Sequence, residues 1–177
     1  MWSKLKRNRV LRLKKQADSV PQFVTLKKVD NLLILFDQTV GIVDLAPKCK
    51  ELLPSHVKVD YVQYHEGKRP KIDQHDLSQA KANLTLQNDL YASDTNFWGV
   101  PKADFLDLAS EYTLIIDLCA KSPLAFYYLM LNLPHKLLIG RKQNTWQFDF
   151  QLDVAREVSS LEVLTSAFYY LDTIKEG

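Results

Sequence analysis

Five apolar residues in succession, Leu32 to Phe36, stand between Asp30-Asn31 and Asp37. A run of strand length closed by polar residues on both sides predicts a strand buried on both faces. The pattern then changes period. Ile42, Leu45, Cys49 and Leu52 or Leu53 recur at three- and four-residue intervals, which predicts a helix from Ile42 to Leu53 that Pro54 stops. Val57 to Tyr64 reads as a second strand, and the polar residues 65–82, with Gly67 and Pro70, read as a loop or exposed helix. Leu84-Thr85-Leu86 is expected to form a short third strand, Phe105 to Ala109 a helix, and the β-branched run Tyr112 to Leu118 another strand. Pro123 to Leu133 is an apolar helix that opens on proline, where the missing N–H has no partner to lose. Lys136 to Gly140 supplies a fifth strand. Trp146, Phe148, Phe150 and Leu152 alternate with Gln147, Asp149, Gln151 and Asp153, the period of a half-exposed outer strand. Ser159-Ser160 then caps a final helix carrying Leu161, Leu164, Phe168 and Leu171 at helical spacing.

Strands and helices in alternation require crossover connections, and crossovers make neighbouring strands parallel. The expected architecture is therefore α/β: a single doubly wound, mainly parallel, Rossmann-like sheet over residues 29–177, preceded by an N-terminal helical arm over 1–28. With 177 residues, such a body buries enough surface to need neither disulfides nor a structural metal. Cys49 and Cys119 belong to no CxxC or Cys/His cluster and read as reduced, buried thiols.

The net charge of +2 conceals a strong asymmetry. Residues 1–28 hold nine basic side chains and one acid, Asp18, whereas the remainder holds fourteen basic against twenty acidic. The arm concentrates Lys4, Lys6, Arg7, Arg9, Arg12, Lys14 and Lys15, with Trp2 at its start. Each cation there can neutralise a phosphate and release a counterion, and Trp2 can stack. Its apolar stripe (Trp2, Leu5, Val10, Leu13) is interrupted by Lys6, Arg9 and Arg12, which favours RNA over an anionic membrane surface. No stretch reaches the ~18 apolar residues of a membrane span. The basic start lacks a following apolar segment and cleavage site, so the expected compartment is the cytoplasm.

Within the body, Asp37 and Asp117 close apolar strands at the end where parallel sheets bind ligands, and Gly41 opens the helix after the first of them. These three are the candidate ligand-binding residues. The ordinary role of such a carboxylate is to cap the next helix. The five glycines form neither GxGxxG nor P-loop spacing, so no nucleotide cofactor is expected. His65-Glu66 and Asp73, His75, Asp76 match no zinc spacing, so no metal is expected, and no nucleophile motif of a hydrolase occurs. Asn96-Phe97-Trp98-Gly99-Val100-Pro101 places two large aromatics between turn residues, as in a loop packed on the core or a partner anchor.

Asn31-Leu-Leu-Ile-Leu-Phe-Asp37, His56-Val-Lys-Val-Asp60, Glu111-Tyr-Thr-Leu-Ile-Ile-Asp-Leu118 and His135-Lys-Leu-Leu-Ile-Gly-Arg141 together resemble the N-terminal Rossmann-like half of heptosyltransferases. Those enzymes hold their nucleotide-sugar with a second half, for which 177 residues leave no room, so the resemblance implies the fold and not glycosyl transfer. The basic start, Asn96 to Pro101, Asp117-Leu118, Ile139-Gly140 and Tyr169-Tyr-Leu171 resemble a family of small bacterial proteins without an assigned activity. The functional expectation is a non-catalytic cytoplasmic binding protein whose arm docks to RNA or a nucleoprotein such as the ribosome. Its alternatives are a small enzyme or sensor taking an anionic ligand at the strand ends, and a peripheral adaptor on an anionic membrane. The acidic body is a further candidate surface for a protein partner.

Overall fold

The computed structural model describes residues 21–69, 87–96, 100–101, 108–109, 111–143, 148–155 and 157–173. Six strands are present: β1 Asn31–Asp37, β2 Lys58–His65, β3 Gln87–Tyr91, β4 Tyr112–Asp117, β5 His135–Arg141 and β6 Phe150–Leu152. Among the described residues the α-helices are α1 Ile42–Leu52, α2 Leu124–Asn132 and α3 Ser160–Thr173. The strands make one sheet in the order β3-β2-β1-β4-β5-β6, and every pairing is parallel. This is the Rossmann-like α/β arrangement expected from the alternation of strands and helices.

The chain steps outward from β1 in one direction and from β4 in the other. Crossovers of one hand then place their helices on opposite faces. Leu32, Ile34 and Phe36 of β1 accordingly join Ile42, Leu45 and Cys49 of α1 and Val163, Leu164 and Phe168 of α3 in one core. Leu33 and Leu35 join Phe126, Leu129 and Met130 of α2 in the other. The uninterrupted apolar run of β1 is thus explained residue by residue, since both its faces are covered.

Three expectations are modified. Gln87–Tyr91 forms a strand that the sequence did not mark, while the expected strand at 84–86 lies outside the described residues. The outer strand is shorter than the alternation from Trp146 suggests. The Asp149 carboxylate accepts the Leu138 N–H at 2.9 Å, the place where a longer β6 would have paired, so the ladder runs only from Phe150 to Leu152. Residues 144–147 are not described. Leu108 and Ala109 are not helical, and 102–107, the rest of the expected helix there, are outside the description, as are residues 1–20 of the basic arm.

The described chain enters the body along the strand starts. Gln22 N–H donates to the Lys136 carbonyl at 3.0 Å, at the beginning of β5. Val24, Leu26 and Val29 are then buried against the α1 and α3 face.

Candidate functional site

The carboxyl ends of β1 and β4 form the point at which the sheet order reverses, and the loops leaving them diverge to opposite faces. Asp37 ends β1. Its Oδ1 accepts the Thr39 N–H at 3.0 Å and the Thr39 hydroxyl, which shapes the turn into α1. Asp117 ends β4 and is fully buried. Its Oδ1 accepts the Cys119 N–H at 3.0 Å, and its Oδ2 accepts the Ser122 hydroxyl. Ser122 Oγ in turn accepts from Gln143 Nε2 at 2.8 Å, while Tyr127 OH donates to Gln143 Oε1 at 3.1 Å. A carboxylate, a hydroxyl, an amide and a phenol thus pin the β4–α2 turn to the loop after β5.

Burial pushes the Asp117 carboxyl up to about 6; the Ser122 hydroxyl and Cys119 amide oppose that rise, and nearby Asp37 adds to it. The Cys119 thiol lies within hydrogen-bonding reach of both carboxylates. Burial, then the charges of Asp117 and Asp37, push it well above the ordinary thiol range, which holds it as the neutral thiol. Cys49 is likewise a free, buried thiol raised to about 11 by burial.

Arg141 ends β5 with its guanidinium buried. Nε donates to the Leu118 carbonyl at 3.1 Å, Nη2 to Val158 at 2.7 Å and Nη1 to Ala155 at 3.5 Å. Burial lowers its pKa, against the field of Cys119, Asp37 and Asp117. This side chain ties the exit of β4 to the entry of α3. Entry to that helix is further fixed by a reciprocal cap, in which Glu162 Oε2 accepts the Ser159 N–H at 2.9 Å and Ser159 Oγ accepts the Glu162 N–H at 3.3 Å.

Gln38 and Thr39 form a ridge with a cleft on each side. One, about 530 Å³, is lined by Asp37, Tyr64, Glu66, Asn96, Lys121 and the start of α2. The other, about 420 Å³, lies between the starts of α1 and α3 and is lined by Gly41, Asp44, Arg141, Glu157 and Ser159. Beside the first, His65 Nε2 meets Asp89 Oδ1 at 2.9 Å and His65 Nδ1 meets Gln38 Nε2 at 3.1 Å. The ring stacks on Tyr91 at 4.5 Å, and Arg69 covers Tyr91 at 4.8 Å while bonding Asp94 at 2.7 Å. That wall holds the ends of β2 and β3 together.

Of the sequence candidates, Asp37 lines the larger cleft, Gly41 the smaller, and Asp117 lies beneath the surface with no area to offer a ligand. Trp2, Lys4, Lys6, Arg7, Arg9, Arg12, Lys14 and Lys15 lie outside the described residues, as do Phe97, Trp98, Asp73, His75 and Asp76. Among the described residues no three His, Cys, Asp or Glu side chains are placed to hold a metal ion, and no helix is long and apolar enough to cross a membrane. Gln38, Lys121, Ser122, Gln143 and Arg141 were not marked by sequence. Only the Ile-Gly-Arg ending of β5 carried a signal for one of them. Comparison with family models, curated proteins and solved structures finds no match.

Proposed function

We propose that this chain is a non-catalytic cytoplasmic binding protein whose basic N-terminal segment docks to RNA or to a ribonucleoprotein such as the ribosome. The observation that carries this reading is the charge division: nine cations and one acid in residues 1–28, against fourteen and twenty in the rest. The point of attachment supports it. The segment leaves the body at the strand starts, whereas Asp37, Asp44, Glu66, Asp117 and Glu157 gather at the strand ends. The described part of the segment, from Gln22, thus joins the body at the end of the sheet opposite to those carboxylates. Two buried free thiols fit a reducing compartment.

Co-sedimentation of the full chain with ribosomes and with total RNA, at low and high salt, tests the reading. Binding that disappears with salt, and on reversing the charges of Lys4, Lys6, Arg7, Arg9, Arg12, Lys14 and Lys15, is expected. Binding to anionic vesicles with RNA silent would move the arm to a membrane surface and overturn the proposal.

A second reading, a small enzyme or sensor with a ligand at the strand ends, is favoured by the 530 Å³ cleft at the switch point, which has the size and place of ligand sites in open α/β sheets. A ligand at a hundred times its Kd stabilises by about 2.7 kcal/mol, a rise in Tm of roughly 5–10 °C for a chain of this size. That rise should vanish in Lys121→Ala, whose exposed side chain contributes nothing to the buried network. A silent screen of nucleotides, sugars and metals removes this reading.

A further inference from the structure

Helix α1 is flanked unequally. On the side toward β4 it meets α3, and the two share one core. On its other side it borders a groove of about 950 Å³, with Val59 and Tyr61 of β2 as its floor and Val43, Ala46, Pro47 and Lys50 of α1 as its wall. The wall residues recur at intervals of three and four, the spacing of a second helix face beside the Ile42, Leu45 and Cys49 stripe that packs on the sheet. Val43 is 71% exposed, more than any other large hydrophobic side chain among the described residues. Contiguous apolar surface of this extent marks a contact.

The connection from β2 to β3 identifies that contact. The two strands are parallel, so the chain must return from the carboxyl end of β2 to the start of β3 across one face of the sheet. None of this return is made before residue 70. The Gly67 carbonyl accepts the Ser93 N–H at 3.1 Å, and the Arg69 N–H donates to Ser93 Oγ at 2.9 Å, so the backbone at Arg69 still stands beyond the end of β3. The seventeen residues 70–86 make the whole journey, and a crossover takes a dozen or more. Handedness sets the face. β1, β2 and β3 follow one another outward in the sheet, so a second crossover of the same right hand falls on the same face as α1. The place beside α1 and over β2 on that face is the groove. Ile72, Leu77, Ala80 and Leu84 give the stretch apolar side chains to set there.

We propose that the groove between α1 and β2 is the seat of residues 70–86 of this same chain, and not a site for a ligand or for a second protein. The assignment is independent of what the basic segment binds. It gives Val43, Ala46 and Pro47 an apolar neighbour, and it makes the polar stretch after β2 part of the layer that α1 and α3 begin.

Photo-cross-linking of the full chain tests this, with p-benzoylphenylalanine in place of Val43 and, in a second protein, in place of Lys50. Both side chains are exposed, so the fold should tolerate the probe, and an unchanged Tm confirms it. Peptide mapping by mass spectrometry is expected to find both probes joined to residues 70–86 within one chain. A third probe in place of Tyr128, on α2 at the opposite face of the sheet, should not reach those residues. Cross-links that join two chains would give the groove to a second copy and overturn the assignment. Cross-links to other parts of the chain alone, or none, would leave the groove to a ligand or partner and overturn it equally. Cross-links to 70–86 from Tyr128 in place of Val43 would give the crossover the other hand, with the same consequence.

Discussion

The two ends of the sheet are built on different physical principles. At the strand carboxyl ends, charged and polar groups are taken out of water and satisfied internally: Asp117 by Ser122 and the Cys119 amide, Arg141 by backbone carbonyls. At the strand starts, closure is mostly apolar, through Val24, Leu26 and Val29, with the Tyr112 hydroxyl donating to Asp60 at 2.6 Å as a local anchor. There Tyr169, Lys27 and Lys28 stay on the surface. The first end depends on geometry and resists substitution.

The largest effect that can break this contrast is on RNA binding. If the seven clustered cations each meet a phosphate on single-stranded RNA, the slope of log affinity against log salt is about −5, and affinity falls about a thousandfold between 50 and 200 mM salt. A flat salt response would remove the recruiting role from the strand-start end.

At the other end, pH separates the two designs. The Asp117 carboxyl titrates near 6 when folded, above its ordinary value of 3.8, so folding favours its protonated form. That stabilisation is complete below about pH 4 and is lost as pH rises through 6. Compared with Asp117→Asn, the native chain should therefore lose about 3 kcal/mol between pH 4 and pH 8, measured as the difference of two urea denaturation series. A parallel pH dependence in both proteins would mean that Asp117 is not desolvated as described.

A smaller effect concerns close packing. A Cβ on Gly140 would stand 2.4 Å from the Phe148 ring, so one or the other must move. Gly140→Ala is expected to cost about 1–3 kcal/mol in denaturant unfolding. Smallest is the cap of α3. Ser159→Ala removes the acceptor of the Glu162 N–H and should cost about 1 kcal/mol, with no effect on RNA binding.

Much of the fold was readable where burial was two-sided. β1, β4 and β5 announce themselves as apolar runs, and α1 and α3 as stripes with a clear period. β3 does not, because Gln87–Tyr91 is an edge strand in which Leu90 is the buried apolar residue, so no run marks it. The alternation from Trp146 promised more strand than exists, because a carboxylate, Asp149, takes the backbone donor that would have extended the ladder. Asp37 and Asp117 stood out as strand-ending acids, yet their different fates did not. Asp117 is buried by partners that the β4–β5 pairing delivers, since its register with Gly140 brings Gln143 to Ser122. That is a relation between strands, invisible along one.

The length of β1 sets how far the two ends act on one another. Its seven residues, at about 3.3 Å each, hold the strand starts roughly 23 Å from the strand ends. The screening length at physiological ionic strength is about 8 Å, so the field of charges at the strand starts, Lys27 among them, has decayed before it reaches the clefts. Events at the two ends are energetically additive unless the sheet itself shifts, and a rigid, doubly covered strand is poorly suited to carry such a shift. The body thus separates the charges of its two ends by more than twice the distance over which they feel one another.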